Sequence, residues 1–110
     1  MSSALPARVR TLMDSFLGDR GTTPLELRRA VLARAHAFGS GAASRPPVAD
    51  DLAGWVDTIA VNPSTASDAD VARLKAAGYT DDDIIEVTEA AALGASLARL
   101  EIAYRVTGDG

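Results

Sequence analysis

The chain has 110 residues, enough for one hydrophobic core and too few for two. With 47% hydrophobic but only 5% aromatic residues, that core rests on Ala, Leu, Val and Ile, which favours closely packed helices. Cys is absent, which excludes disulfides, thiolate nucleophiles and zinc-thiolate sites, and a net charge of -4 argues against a phosphate-backbone partner. Charge is uneven along the chain. Seven Arg stand in residues 1–45 against Asp14, Asp19 and Glu26, whereas four basic groups face twelve acids in the remainder. Most of those acids fall where helices begin, beside the unpaired amides of a first turn.

In chain order, Leu5, Val9, Leu12 and Phe16, broadened by Met13, form the stripe of a first amphipathic helix ending near Gly18. Thr23-Pro24-Leu25-Glu26 then reads as a capping box with Pro24 at the first helical position, opening a second helix. Leu27, Val31, Ala35 and Phe38 form its apolar face, and Gly39 is expected to end it. Gly39 to Pro47, GSGAASRPP, is a loop. A third helix is expected from near Asp50, with Leu52, Trp55, Val56 and Ile59 inward and Asn62-Pro63 as its stop. Ser67, with Asp70 three residues on, caps a short fourth helix anchored by Val71 and Leu74 and closed by Gly78.

Thr80 opens the longest helical pattern, TDDDIIEVTEAAALGASLARLEIAYR, which Gly108 should stop. Apolar positions run nearly all the way round it. Ile84, Ala91, Ala95, Ala98 and Ile102 share one side, and Ile85, Ala92, Leu100 and Ala103 another, so burial on more than one face is expected. Gly94 costs the helix about 1 kcal/mol relative to Ala, a cost that close backbone packing would offset. Because four other helices leave part of this cylinder uncovered, Ala91, Gly94, Ala95 and Ala98 are expected to meet a second copy. No strand alternation, internal repeat or membrane-spanning apolar run occurs, so the expectation is a single all-α domain over residues 1–110.

The segment from Leu52 to Gly94 resembles the carboxymuconolactone decarboxylase and alkylhydroperoxidase D superfamily. The resemblance is carried by a helix of the form L-x-x-W-V, an Asn-Pro loop, an acidic-capped helix and, most specifically, Ala77-Gly78-Tyr79-Thr80-Asp81-Asp82-Asp83-Ile84 before a long alanine-rich helix. It implies an AhpD-like bundle of about five helices around a long central C-terminal helix, assembling as a dimer to hexamer. Redox members use a Cys-x-x-Cys pair with an upstream Glu and a downstream His. If Glu26 is taken as that acid, the cysteine positions fall near Phe38 and Gly41 and Arg45 stands near the histidine. With no thiol, thiol peroxidase chemistry should be absent.

Two residues remain as acid-base candidates, Glu26 and His36, the latter the only side chain that titrates near neutrality when unperturbed. Ten residues of helix set them two to three turns apart, too far for a direct pair. Glu86 and Glu89, neighbours on the long helix, read better as ion-pair partners of Arg than as a catalytic dyad. No phosphate-cradling Gly motif, nucleophile elbow or metal-ligand spacing occurs. A helix-turn-helix over residues 67–93 would present three Asp to DNA phosphates, which argues against nucleic acid. The expected protein is therefore cytoplasmic, free of cofactor and metal, and a homo-oligomeric structural or binding module. Its partners would be itself, a small molecule, or another protein met by the Arg-rich N-terminal half. The alternative is an acid-base enzyme of the decarboxylase type, acting on a small organic acid or lactone in an interface pocket.

Overall fold

The structure, a computed structural model, describes Ala7 and residues 21–108. Among these residues it is all-helical, without a strand. Helices α1 (Leu25–Ser40), α2 (Asp50–Val61), α3 (Asp68–Ala76) and α4 (Asp81–Thr107) follow in order, with a single 3-10 turn, Pro63–Thr65, between α2 and α3. The expected first helix, up to Gly18, lies outside the described residues.

Local chemistry sets most of the boundaries. The Thr80 hydroxyl accepts from the Asp83 amide at 3.1 Å while the Asp83 carboxylate accepts from the Thr80 amide at 2.9 Å, a reciprocal box at the start of α4. Ser67 and Asp70 repeat the arrangement on α3. Asn62 ends α2, and Gly108 ends α4 at a φ of 76°, a left-handed conformation that suits glycine. Removing the Thr80 oxygen by Thr80→Ala should cost about 1 kcal/mol, read as a lower urea midpoint at unchanged slope.

At α1 the structure corrects the sequence reading twice. Pro24, not Thr23, is the cap residue, and no side chain caps the helix, because the Thr23 hydroxyl is turned onto Glu86 of α4 instead. The helix also continues through Gly39 to Ser40, with the left-handed φ of 73° at Gly41. Gly39 serves close approach: a Cβ there would lie 2.7 Å from the Ala98 Cβ and 3.2 Å from the Ala95 carbonyl oxygen.

Helices α1 and α4 form the most extensive packing in the chain. Thr22 and Thr23 meet Glu86, Leu32 meets Gly94, and Gly39 meets Ala95 and Ala98, so the two helices run in the same direction. Helix α2 lies against both, with Trp55 Nε1 donating to Thr88 Oγ1 at 2.8 Å and an Arg99 nitrogen reaching the Ala60 carbonyl at 3.4 Å. The core joins Val31 and Ala35 of α1 to Leu52, Val56, Ile59 and Ala60 of α2, Leu74 of α3, and Ile84, Val87, Ala90, Ala91 and Ala95 of α4. Trp55, Tyr79, Leu27 and Phe38 close its edges.

The same packing corrects the expected self-association surface. Ala91, Gly94, Ala95 and Ala98 are buried inside their own chain, where a Cβ at Gly94 would land on the Leu32 carbonyl oxygen of α1. Their small size lets two helix backbones of one chain approach. The side of α4 bearing Ile85, Ala92, Leu100 and Ala103 is the exposed one.

Candidate functional site

Among the described residues, four places gather polar or charged groups. The first is the carboxylate of Glu86, held where the chain enters α1. It accepts from the Thr22 amide at 2.7 Å, the Thr23 amide at 3.0 Å, the Thr23 hydroxyl at 2.6 Å and the Thr22 hydroxyl at 3.1 Å. Nε of Arg28, whose residue is 3% exposed, lies 3.9 Å away. Burial alone would raise the pKa of Glu86, but the hydroxyl of Thr23, the two amides and the hydroxyl of Thr22 all favour the charged form, and the net shift is downward. The one Thr22 hydroxyl proton is shared between Glu86 and Asp83, the nearer acceptor at 2.5 Å; that bond and those from Thr80 lower the Asp83 pKa as well. Both oxygens of the carboxylate are thus engaged by groups of the chain itself. This is a structural clamp, and it bears out the expectation that Glu86 pairs with Arg. Glu89, by contrast, is exposed.

The second place lies where the resemblance puts redox chemistry. Arg34 makes a forked pair with Asp57, Nε to Oδ1 at 2.6 Å and Nη2 to Oδ2 at 2.8 Å, and its Nη1 donates to the Pro46 carbonyl at 3.3 Å. The bond to Asp57 raises the Arg34 pKa and fixes the charge. The guanidinium of Arg45 stacks 3.8 Å from the Phe38 ring centre, with that of Arg34 at 5.8 Å. Together these contacts fasten the loop after α1 onto α1 and α2. Phe38 thus provides a stacking platform for two cations.

The third is His36, partly buried, whose Nε2 lies 2.5 Å from Oε1 of Glu101 on α4. Glu26 is exposed in the first turn of α1, ten residues or about 15 Å of helix from His36. The two expected acid-base residues are not brought together, and Glu101, on another helix, takes the place beside the imidazole. Spacing within α1 carries no trace of that partner.

The fourth is a groove of about 550 Å³ between α2 and α3, lined among others by Asp50, Asp51, Trp55, Thr58, Arg73 and Leu74. Tyr79 donates its hydroxyl to Asp51 at 2.7 Å, and burial, reinforced by that bond and by the charges of Asp51 and Asp83, pushes its pKa up to about 12. Asp70 is engaged by Ser67 and Arg73. Neither Glu26, His36, Glu86 nor Glu101 lines the groove. Its carboxylates stand in the first turns of α2 and α3.

Among the described residues no three His, Asp or Glu side chains gather as a metal site, and no helix is long and apolar enough to cross a membrane. Large apolar side chains are nevertheless exposed on α4: Ile85 at 55%, Leu100 at 41%, Ile102 at 42% and Val106 at 81%. No protein-family model, curated protein or solved structure matches the chain.

Proposed function

We propose that this chain is a non-redox, self-associating helical module of the AhpD-like kind, acting as a structural or binding unit. The observation that carries this reading is the uncovered apolar side of α4, where Ile85, Leu100 and Val106 are large, exposed and uncovered by any of the other described residues. The order of elements from Leu52 to Gly94 supports the superfamily attribution, and the absence of Cys from the sequence removes its thiol chemistry. Light scattering coupled to size exclusion is the test. A mass of two or more chains at micromolar concentration is expected, and a monomer across that range would end the self-association reading.

One observation favours a second reading. A carboxylate that orients an imidazole is the elementary unit of general-base catalysis, and His36 with Glu101 is such a pair. An acid-base enzyme acting on a small organic acid or lactone would use it at a surface shared with another copy. Turnover of a lactone panel that is lost in His36→Gln, with helicity retained, would decide for the enzyme; turnover unchanged by that substitution would decide against this pair.

A further inference from the structure

The uncovered side of α4 has an internal order. Ile85, Glu89, Ala92, Ser96, Arg99, Ala103 and Val106 follow one another at spacings of four, three, four, three, four and three, and every one is exposed. A repeat averaging 3.5 residues keeps one seam facing a partner helix along its whole length. Ile85 and Val106 stand at the two ends, Leu100 flanks the seam, and Ala92, Ser96 and Ala103 between them are short enough for a second helix to come close.

We propose that this seam pairs with the same seam of a second copy, antiparallel, about a twofold axis near Ser96. The proposal rests on the self-association reading and specifies its surface. Charge decides both occupant and direction. The N-terminal half of the seam carries Glu89, and its C-terminal half carries Arg99. With Ser96 opposite Ser96, Glu89 faces position 103 of the other copy, four residues or about 6 Å along the axis from Arg99, within reach of two long side chains. This acid-base contact occurs twice by symmetry. Parallel pairing would instead set Glu89 on Glu89 and Arg99 on Arg99 and align the helix dipoles unfavourably. The buried small residues Gly94, Ala95 and Ala98 do not take part. They lie on the opposite side, against α1.

The experiment measures the dimer dissociation constant by light scattering and dilution, with circular dichroism confirming that each variant is helical. Glu89→Arg and Arg99→Glu should each weaken the dimer about tenfold, since two attractive contacts become repulsive. Combining them should restore it to within about threefold, and an equimolar mixture of the two single variants should form the mixed dimer in preference to either homodimer. Because the sequence has no Cys, Ser96→Cys places one thiol on the proposed axis. Mild oxidation should link two copies covalently, whereas Ala72→Cys on the exposed side of α3 should not. A monomeric parent chain overturns the proposal together with the reading beneath it, and assigns the seam to residues 1–20 of the same chain or to a different protein. An oligomer that ignores both charge reversals and leaves Ser96→Cys unlinked overturns the α4 seam alone.

Discussion

Replacing Gly94 by alanine is expected to destabilise the fold by about 3 kcal/mol, in the upper part of the range for an overpacked core. Helix propensity alone gives the opposite sign, since Ala is favoured over Gly within a helix by about 1 kcal/mol. Space decides the matter. A Cβ at position 94 would land on the Leu32 carbonyl oxygen, with the Leu32 carbonyl carbon at 3.0 Å and the Ala35 Cβ at 3.1 Å. A carbonyl within α1 is fixed by its own helical hydrogen bond, so α1 would have to move as a body. Gly54 supplies the control, being an exposed helical glycine with nothing within 4 Å of a built Cβ. Gly54→Ala should therefore raise the urea midpoint while Gly94→Ala lowers it. A rise for both would show that α1 is not seated on the α4 backbone.

Glu86→Ala is the second substitution with a large expected cost, about 3 kcal/mol at neutral pH. It removes the acceptor of the Thr22 and Thr23 amides and of the buried Thr23 hydroxyl, and takes a negative charge from beside the buried guanidinium of Arg28. The loss should depend on pH. The carboxylate has a lowered pKa in the folded chain, so its contribution is fully present above the unfolded value of about 4.3 and fades as pH falls through the folded one. Urea unfolding at pH 7 and below pH 4 should show the gap between parent and variant narrowing in acid. A gap of constant size would mean that shape rather than charge holds the clamp.

Where a structural feature is local, the sequence announced it. Thr80 with Asp83 and Ser67 with Asp70 are reciprocal caps spanning three residues, and Asn62-Pro63 and Gly108 stop their helices through backbone chemistry that needs no distant partner. The inward positions Leu52, Val56 and Leu74 follow from helical periodicity in the same way. Features with distant partners were illegible. Thr23-x-x-Glu26 has the form of a capping box, yet the Thr23 hydroxyl finds a charged acceptor 63 residues away. A charge-assisted bond to Glu86 is stronger than a neutral one to an amide at the same helix end.

The candidate site divides along the same line. That Glu86 would pair with an Arg could be read from composition, but that the Arg would be Arg28 depended on α1 and α4 lying parallel. His36 was identifiable as the only histidine, whereas Glu101, 65 residues later, was not identifiable as its neighbour. Periodicity also reported that Ala91, Gly94, Ala95 and Ala98 share one side of a helix. It carries no information on whether that side meets another helix of the chain or another chain.

The shared direction of α1 and α4 also bears on how the chain acquires its fold. Two adjacent helices joined by a short turn must run antiparallel; these run parallel, and the whole of α2 and α3 serves as the connection between them. Contacts such as Thr23 to Glu86 and His36 to Glu101 therefore span more than 60 residues, far beyond the local contacts within a helix. Loop closure must precede the reward of these contacts, and the rate of folding falls as mean sequence separation grows. Helices α2, α3 and the start of α4 can assemble from near neighbours alone, whereas α1 must return across the full connection. The topology therefore predicts that the caps and the short helices form early and that the Glu86 clamp closes late.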